Sequence, residues 1–523
     1  MRERLNEALL GLIALLFRAF AWVLEQRLRM RLEGFREAQR ALRAELEVRD
    51  ETPVATFAEL GPSLERARVR HGRRAVEVTT SGSTSAAKRL VYTRGRLILT
   101  RFLFIDVFAR LMRAARCRRW SLFVLAPRGD DDSLSSALNR ETRAPTYPEA
   151  LEGPYRVMRD AAFAEACARH GETAARAWLL AVSNPGFLYA TNPSTLAVFF
   201  ESLGPEWSRV SALAAAFLRG EEPGLARLFR QTATLGARAR LERMAGSAAP
   251  LAVTELAPGL EVFACWDGGY VRPFLERARR HLPESKVRFL PMYSMSTEVV
   301  ETLGVAVGEG AAFDVAYLPC APGVLYEFAP EGDGPPRLLS PWELEPGKSY
   351  GLVVSDRFGL TRYQTDDVFE CRRLVDGHPD LRFLRRRGLS YSFTGEKLTA
   401  EHLTAAYALA RARLGVGSDD THWCAFPTLG RDGATPGYRL IRVGQAKGPA
   451  TAEVARAVDE ALAEVNGEYR QKRQTGRLAP LEGLELDVQR FVAAVAGPSA
   501  VGTWENQFKF LPLSPRLWDE GVR

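Results

Sequence analysis

A chain of 523 residues, 46% hydrophobic and 26% charged, can bury a large core and divide into two or more domains, which excludes a disordered or low-complexity polypeptide. The formal charge of +8 points to anionic partners, but arginines are interspersed with acidic residues and the densest cluster, Arg385 to Arg387, lacks interleaved aromatics, so no nucleic acid partner is expected. Six cysteines and six histidines are scattered without C-x-x-C or H-E-x-x-H spacing, which fits buried thiols in a reducing, cytoplasmic setting and gives no structural metal centre.

In chain order, the first feature imitates a signal peptide: Arg2 and Arg4, a ten-residue apolar run from Ala8 to Phe17, then Ala19-Phe20-Ala21. Arg18 interrupts the run, Glu3 and Glu7 dilute the basic start, and helical periodicity continues through Gln39 to Leu46. Ten apolar residues are too few to span a bilayer. The sequence therefore favours one leading helix within residues 1–50, packed on the body, over an interfacial membrane contact.

A strand-like run, Ala75 to Val78, leads into Thr79-Thr80-Ser81-Gly82-Ser83-Thr84-Ser85, six hydroxyls and one glycine in seven residues, and then to Lys88. A helical pattern resumes after Tyr92, so the stretch reads as a polar loop between regular elements. Gly82 and Lys88 have the spacing of the G-x-x-x-x-G-K-S/T phosphate loop, but Ala87 and Arg89 occupy two of its defining positions. The loop is not of that type. Its ordinary alternative is a serine-rich surface turn, and the rest of the chain decides between the two readings.

Helical stretches then alternate with short strand-like runs such as Ser121 to Ala126 and Glu261 to Cys265, the texture of an α/β domain. From Pro319 to Asp367 short strands with Gly and Pro turns predict a small β-rich, barrel-like unit. Beyond Leu389, helical Ala400 to Leu414, strands His422 to Pro427 and Tyr438 to Val443, helical Ala452 to Tyr469 and strand Leu484 to Phe491 predict a compact α+β unit. The expected fold class is α/β: a large N-terminal domain (1–386) of α/β subdomains with the β-rich unit, a hinge at 386–390 and a smaller C-terminal domain (390–523).

Only seven of the 71 basic residues are lysine, so each lysine is a mild signal for a compact ammonium close to a reacting oxygen. Lys88, Lys397 and Lys509 lie within four segments that share a family likeness. Thr80 to Lys88 resembles the phosphate loop T-S-G-S/T-T-G-x-P-K of the adenylate-forming superfamily, which includes acyl-CoA synthetases and luciferases, with Ser85 and Ala87 departing from its Gly and Pro. Met292 to Glu298 resembles that superfamily's Y-G-x-S/T-E segment, with Tyr293 one residue early. Gly359 to Val368 is similar to G-L-Y-R-Y-R-x-G-D-V of the GH3 acyl-acid amido synthetases, with Gln364 for an arginine and Asp366 for a glycine. Leu325 to Phe328 and Glu345 to Tyr350 precede it as in GH3 proteins. Finally, Phe383 to Arg386 resembles the F-x-G-R hinge. It is followed by Gly395-Glu396-Lys397-Leu398 and Glu401, by Asn466, Tyr469 and Arg473 of an N-x-x-Y-x-x-x-R helix, and by Gly502 to Lys509 of the terminal G-x-x-x-N-Q-Y-K.

The resemblance implies a mobile C-terminal domain, ATP and Mg2+ as cofactors, and a role for each matched residue. Ser81, Gly82, Ser83, Thr84 and Lys88 would hold the β- and γ-phosphates, Thr297 the α-phosphate, Glu298 the magnesium and Asp367 the ribose. Arg386, at the hinge, would contact the nucleotide, and the catalytic residues would be Glu298 with Lys397 and Lys509 of the C-terminal domain, Lys509 bridging the carboxylate and the α-phosphate. The physics agrees, because two anions must be brought together and cations with N–H dipoles must neutralise them. Taken singly, Glu298 or Asp367 would more often be a capping carboxylate and Arg386 an ion-pair partner. Tyr326 and Phe328 read as core. The implied function is adenylation of a carboxylic acid followed by acyl transfer to an amine, that of an amino acid in the first instance. An acyl-CoA ligase and a nucleotide-binding or acid-binding protein without turnover are the alternatives. The acid pocket is expected between Thr191 to Thr195 and Cys265 to Gly269.

Overall fold

The computed structural model describes residues 2–79, 88–125, 134, 137–138, 157–191, 193–267, 272–291, 295–308, 313–331, 337–386, 390–391, 393, 396, 398–416, 422–429, 435–444, 448–476, 478–496, 511–514 and 516–518. The chain divides into two compact units, one of residues 1–79, 89–365 and 370–382, the other of 80–88, 366–369 and 383–523.

The first unit opens with α1 (Arg2–Glu33) and α2 (Phe35–Glu45), which replace the one leading helix that periodicity predicts. Gly34 separates them: glycine is a poor helix former, and its ψ of 12° leaves the helical region. Among the described residues α1 is the helix long and apolar enough to cross a membrane by length and composition. The ten-residue run understates it, because apolar residues resume from Ala19 to Leu24 beyond the single Arg18.

After α3 (Gly61–His71), strand β1 (Ala75–Thr79) pairs antiparallel with β2 (Arg89–Thr93), Ala75 opposite Thr93 and Thr79 opposite Arg89. The hydroxyl-rich stretch is therefore the connection of a hairpin, with its two ends held side by side. Thr93 then caps α4 (Arg94–Ala114), its side chain accepting the Arg96 N–H at 3.1 Å, so strand gives way to helix within one residue.

A parallel sheet follows, of β3 (Leu122–Val124), β4 (Phe187–Tyr189), β5 (Val262–Cys265) and β6 (Arg288–Pro291), adjacent in that order. The helix Glu172–Ser183 is buried from Ala174 to Ser183, and Phe108 of α4 packs edge-on against Phe187 and Tyr189. Strands buried by helices read as continuous apolar runs, and Val262-Phe-Ala-Cys265 is one. Two further strands, β7 (Leu303–Val307) and β8 (Asp314–Leu318), pair antiparallel. A sheet of β9 (Val324–Pro330), β10 (Ser349–Asp356), β11 (Tyr363–Val375) and β12 (His378–Arg386) follows in chain order, giving the β-rich unit the sequence predicts.

In the second unit β13 (Ser390–Tyr391) pairs with β14 (Leu398–Thr399) ahead of the helix Ala400–Arg413. A three-stranded sheet places β15 (His422–Thr428) antiparallel to β16 (Gly437–Val443), and β16 parallel to β17 (Glu482–Leu486). Two expectations change here. The helix expected from Ala452 to Tyr469 is two helices, Thr451–Val465 and Gly467–Gln474, because Asn466 leaves helical geometry and its side chain caps the second by accepting the Tyr469 N–H. The strand expected from Leu484 to Phe491 ends at Leu486, since Asp487 accepts the Arg490 N–H at 2.8 Å and starts the helix Val488–Ala496. The fold is mixed α/β, as the sequence indicates.

Candidate active site

The site in the first unit is built where β2 runs into α4. Tyr92, at the end of β2, is buried and its hydroxyl donates to the Thr297 carbonyl at 2.8 Å. One turn into α4, Arg96 lies against the Tyr92 ring at 4.1 Å and the Phe358 ring at 4.5 Å. Its guanidinium donates to the Glu298 carbonyl at 3.0 Å and pairs with Asp356 at 2.9 Å. Thr297 and Glu298 thus have their backbone pinned by two side chains from the same strand-to-helix junction. Burial raises the Tyr92 hydroxyl above its ordinary pKa; the Asp356 and Glu298 carboxylates push the same way, and Arg96 opposes them. The phenol stays protonated and remains a donor.

Glu298 is 4% exposed, and the Tyr363 hydroxyl donates to its Oε1 at 3.4 Å. Asp356 closes the turn between β10 and β11: its Oδ1 accepts the N–H groups of Phe358 at 2.8 Å and Leu360 at 3.1 Å. Within that turn Gly359 has φ +104°, and a Cβ there would meet the Leu64 Cα at 2.9 Å, so both conformation and space demand glycine. Asp366, which stands where the family pattern has glycine, itself adopts φ +67°. Aspartate is among the few side chains that tolerate this left-handed region, so the departure keeps the backbone conformation. Asp367 beside it is buried.

A second buried arginine ties two resembling segments together. Arg362 donates to Glu327 through Nε at 3.0 Å and through its second terminal nitrogen at 2.8 Å, and it also donates to the carbonyls of Asp50 and Thr52. Glu327 is 1% exposed and Arg362 4%. Tyr326 and Phe328 on either side of Glu327 are core, as expected from the sequence.

At the C-terminal ends of β4 and β5, the two segments singled out for the acid pocket meet: the Trp266 N–H donates to the Thr191 carbonyl at 3.1 Å. Loops at this edge of a parallel sheet are where α/β folds bind ligands. Asp267 accepts the Tyr317 hydroxyl at 2.9 Å, and burial raises the carboxyl pKa against the pull of that hydrogen bond.

In the second unit Glu396 is fully buried, its carboxylate accepting the Phe393 N–H at 2.7 Å and the Tyr438 hydroxyl at 2.5 Å. Asn466 donates to the Glu396 carbonyl at 2.9 Å. Arg473 donates to both Asp459 oxygens, at 3.0 Å from Nε and 2.7 Å from a terminal nitrogen, and the Tyr469 hydroxyl donates to Asp459 as well. The segment 511–514 is held beside β15: Ala425 donates to Pro512 and Ser514 to Ala425, each at 2.8 Å.

Of the residues matched to the family pattern, the structure places Thr297, Glu298 and Asp367 in buried or half-buried positions and leaves Lys88 half-buried just before β2. Ser81, Gly82, Ser83, Thr84, Tyr293, Lys397 and Lys509 lie outside the described residues, as does the side chain of Arg386. Tyr363 lies within the matched Gly359 segment but carried no assigned role, and Arg96 and Asp356 did not stand out in the sequence. Asp356 stands just before the Gly359 segment and could have been found there; Arg96 carries no local signal, because only the fold brings it to Glu298.

Residues 317–386 match the family model described as the GH3 family central domain. The chain is 29% identical over 196 residues to the probable indole-3-acetic acid-amido synthetase GH3.2 of Oryza sativa subsp. japonica, covering 34% of this chain and 31% of that protein. It is 29% identical over 171 residues to the jasmonoyl–L-amino acid synthetase GH3.5 of the same organism, covering 32% and 29%. The chain thus matches about a third of the length of these curated relatives. Over the whole fold it is similar to the solved structure of AtGH3.15 acyl acid amido synthetase in complex with 2,4-DB, with a TM-score of 0.65 and 15% identity over 90% of this chain and 85% of that one. The chain's relatives are GH3 proteins, and its fold is theirs.

Proposed function

We propose that the chain is an ATP-dependent ligase that adenylates a carboxylic acid and passes the acyl group to the amine of an amino acid. One observation carries the reading: in a chain with a GH3 central domain, the Thr297-Glu298 segment is fixed by Tyr92 and Arg96 at the junction directly after the hydroxyl-rich hairpin. A rigid backbone at that point gives the preorganisation that charge stabilisation in a transition state requires.

In this proposal the hydroxyls of Ser81, Ser83 and Thr84 with Lys88 cradle the terminal phosphates, Thr297 contacts the α-phosphate and Asp367 the ribose. Glu298 would offer magnesium one hard carboxylate ligand in a buried position, the phosphates of the nucleotide supplying others, and magnesium held there would neutralise phosphate charge. Lys509, two residues before a segment held beside β15, approaches the carboxylate and α-phosphate, and the hinge 386–390 lets the C-terminal domain (390–523) withdraw it before the amine attacks. Six buried cysteines in the thiol form support a cytoplasmic setting.

The test is pyrophosphate release with a panel of carboxylic acids, followed by mass spectrometry with pooled amino acids and with coenzyme A. An amide product establishes the ligase. A thioester product reassigns the chain to acyl-CoA ligation, and nucleotide binding without pyrophosphate release reassigns it to a binding role.

A further inference from the structure

The outward face of α1 is unlike any other described surface of the chain. Leu5, Leu9, Leu12, Leu16, Phe20 and Val23 follow the three-and-four spacing of one helical stripe, and all six are exposed, Leu5 at 65% and Leu16 at 59%. From Leu5 to Val23 the stripe is about 27 Å long at the helical rise, and the charged residues in that interval, half-buried Glu7 and exposed Arg18, are not members of it: Glu7 pairs with Arg119 and Arg18 donates to the Cys117 carbonyl. A continuous apolar face of this length marks an interaction surface.

Charge on α1 is sorted by side. The exposed charges from residue 2 to 33 are Arg2 and Arg4 at one end of the stripe, Arg18 on the side away from it, Arg27 and Arg29 at the other end, and Glu33 at the terminus. The acidic residues are engaged on the protein: Glu7 pairs with Arg119, Glu25 with Arg113 and with Arg29 one turn along at 3.1 Å, and Glu3 accepts the Gly236 N–H. The inward face is also tied down by Asn6, which donates to the Ala233 carbonyl at 2.8 Å, and by Arg18, which donates to the Cys117 carbonyl at 2.8 Å. A helix fastened at these points lies against the body of its own unit with its apolar stripe outward.

We propose that α1 is an interfacial anchor whose outer face lies flat in the headgroup region of an anionic phospholipid bilayer. The apolar stripe sinks toward the acyl chains, Trp22, 53% exposed, sits at the interface, and the arginines at both ends pair with lipid phosphates. A second copy of the chain is the poorer occupant, because antiparallel or parallel pairing of two such stripes sets arginine against arginine at both ends.

The experiment is flotation of the full-length protein with vesicles of phosphatidylglycerol mixed with phosphatidylcholine, and with phosphatidylcholine alone. Binding to the anionic vesicles is expected, weaker by about tenfold or more on the neutral ones. It should fall by about tenfold or more in Leu12→Glu/Leu16→Glu, whose sites are exposed, so that circular dichroism and unfolding temperature stay unchanged. A quadruple variant, Arg2→Gln with Arg4→Gln, Arg27→Gln and Arg29→Gln, should lose the preference for anionic lipid. No flotation of the wild type, flotation unaffected by the glutamate pair, or a dimer in light scattering that the glutamate pair dissolves would overturn the proposal. So would an intact mass showing that α1 is removed from the mature chain.

Discussion

In the first unit the segments that resemble GH3 text bring Thr297 and Glu298 to a junction where backbone groups are clamped and a carboxylate is presented, whereas in the second unit the matched residues turn inward and hold their own unit together. Glu396 is spent on the Phe393 N–H and the Tyr438 hydroxyl, Asn466 on a helix cap and the Glu396 carbonyl, and Tyr469 and Arg473 on Asp459. The difference teaches that a family pattern mixes residues that meet substrate with residues that only aim their neighbours. In the sequence Glu396 precedes Lys397 and the held segment 511–514 follows Lys509, so in the proposed function the buried residues of the second unit would act by placing those lysines. The first unit has scaffolding of this kind too, in Arg362 and Glu327.

The largest expected effect breaks that scaffold. Arg362→Ala leaves Glu327 buried without its bidentate partner and should cost about 3–5 kcal/mol, read as a lower urea midpoint at unchanged slope. Arg362→Met with Glu327→Leu should recover most of the loss, because Arg43, the other partner of Glu327, reaches solvent. If the double variant is no more stable than the single one, the pair is not the main contribution of Arg362. Next in size, Lys509→Ala should lower adenylate formation roughly 100-fold while ATP still binds, since its charge acts on the transition state. Pyrophosphate exchange at the wild-type rate in that variant would remove Lys509 from the chemistry.

A smaller effect separates clamp from charge at Arg96. Arg96→Lys keeps the cation but loses the flat group that lies against Tyr92 and Phe358 while reaching both Asp356 and the Glu298 carbonyl. About tenfold lower kcat with little change in unfolding temperature is the outcome for a positioning residue. An unfolding temperature that drops in step with activity would make Arg96 structural only.

Much of this was legible in the sequence, for physical reasons that differ by residue. The strand and the polar loop after it could be read from a β-branched run followed by hydroxyl residues and glycine, though not the pairing with β2, and Gly359 was marked by its family pattern, the structure supplying the turn that only glycine fits. The break at Asn466 was hidden because helical periodicity continues on both sides of it, and a cap residue in the middle of such a pattern looks like a surface polar position. Arg96 and Asp356 were hidden because they lie 260 positions apart, and a pair that only tertiary packing creates leaves no local trace.

The smallest expected effect concerns the ends of β4 and β5, where Asp267 is a half-buried carboxylate supported by the Tyr317 hydroxyl. Burial raises its folded pKa, so the folded state binds the proton more tightly than the unfolded chain does. The stability this contributes is fully present below the ordinary aspartate value of about 3.9 and is lost as pH rises through the folded value; at neutral pH the buried charge is a cost that the tyrosine reduces. Tyr317→Phe removes that hydrogen bond and should destabilise by about 1–2 kcal/mol at pH 8, with a smaller penalty at pH 4.5, where more of the carboxyl is protonated. The difference in unfolding free energy between wild type and variant, followed across pH, isolates this group from the other carboxylates, which titrate in both. Asp267→Asn should abolish the pH dependence of that difference. A penalty of equal size at both pH values would show that the tyrosine acts through packing alone, and that the ends of β4 and β5 hold Asp267 without electrostatic help from its neighbour.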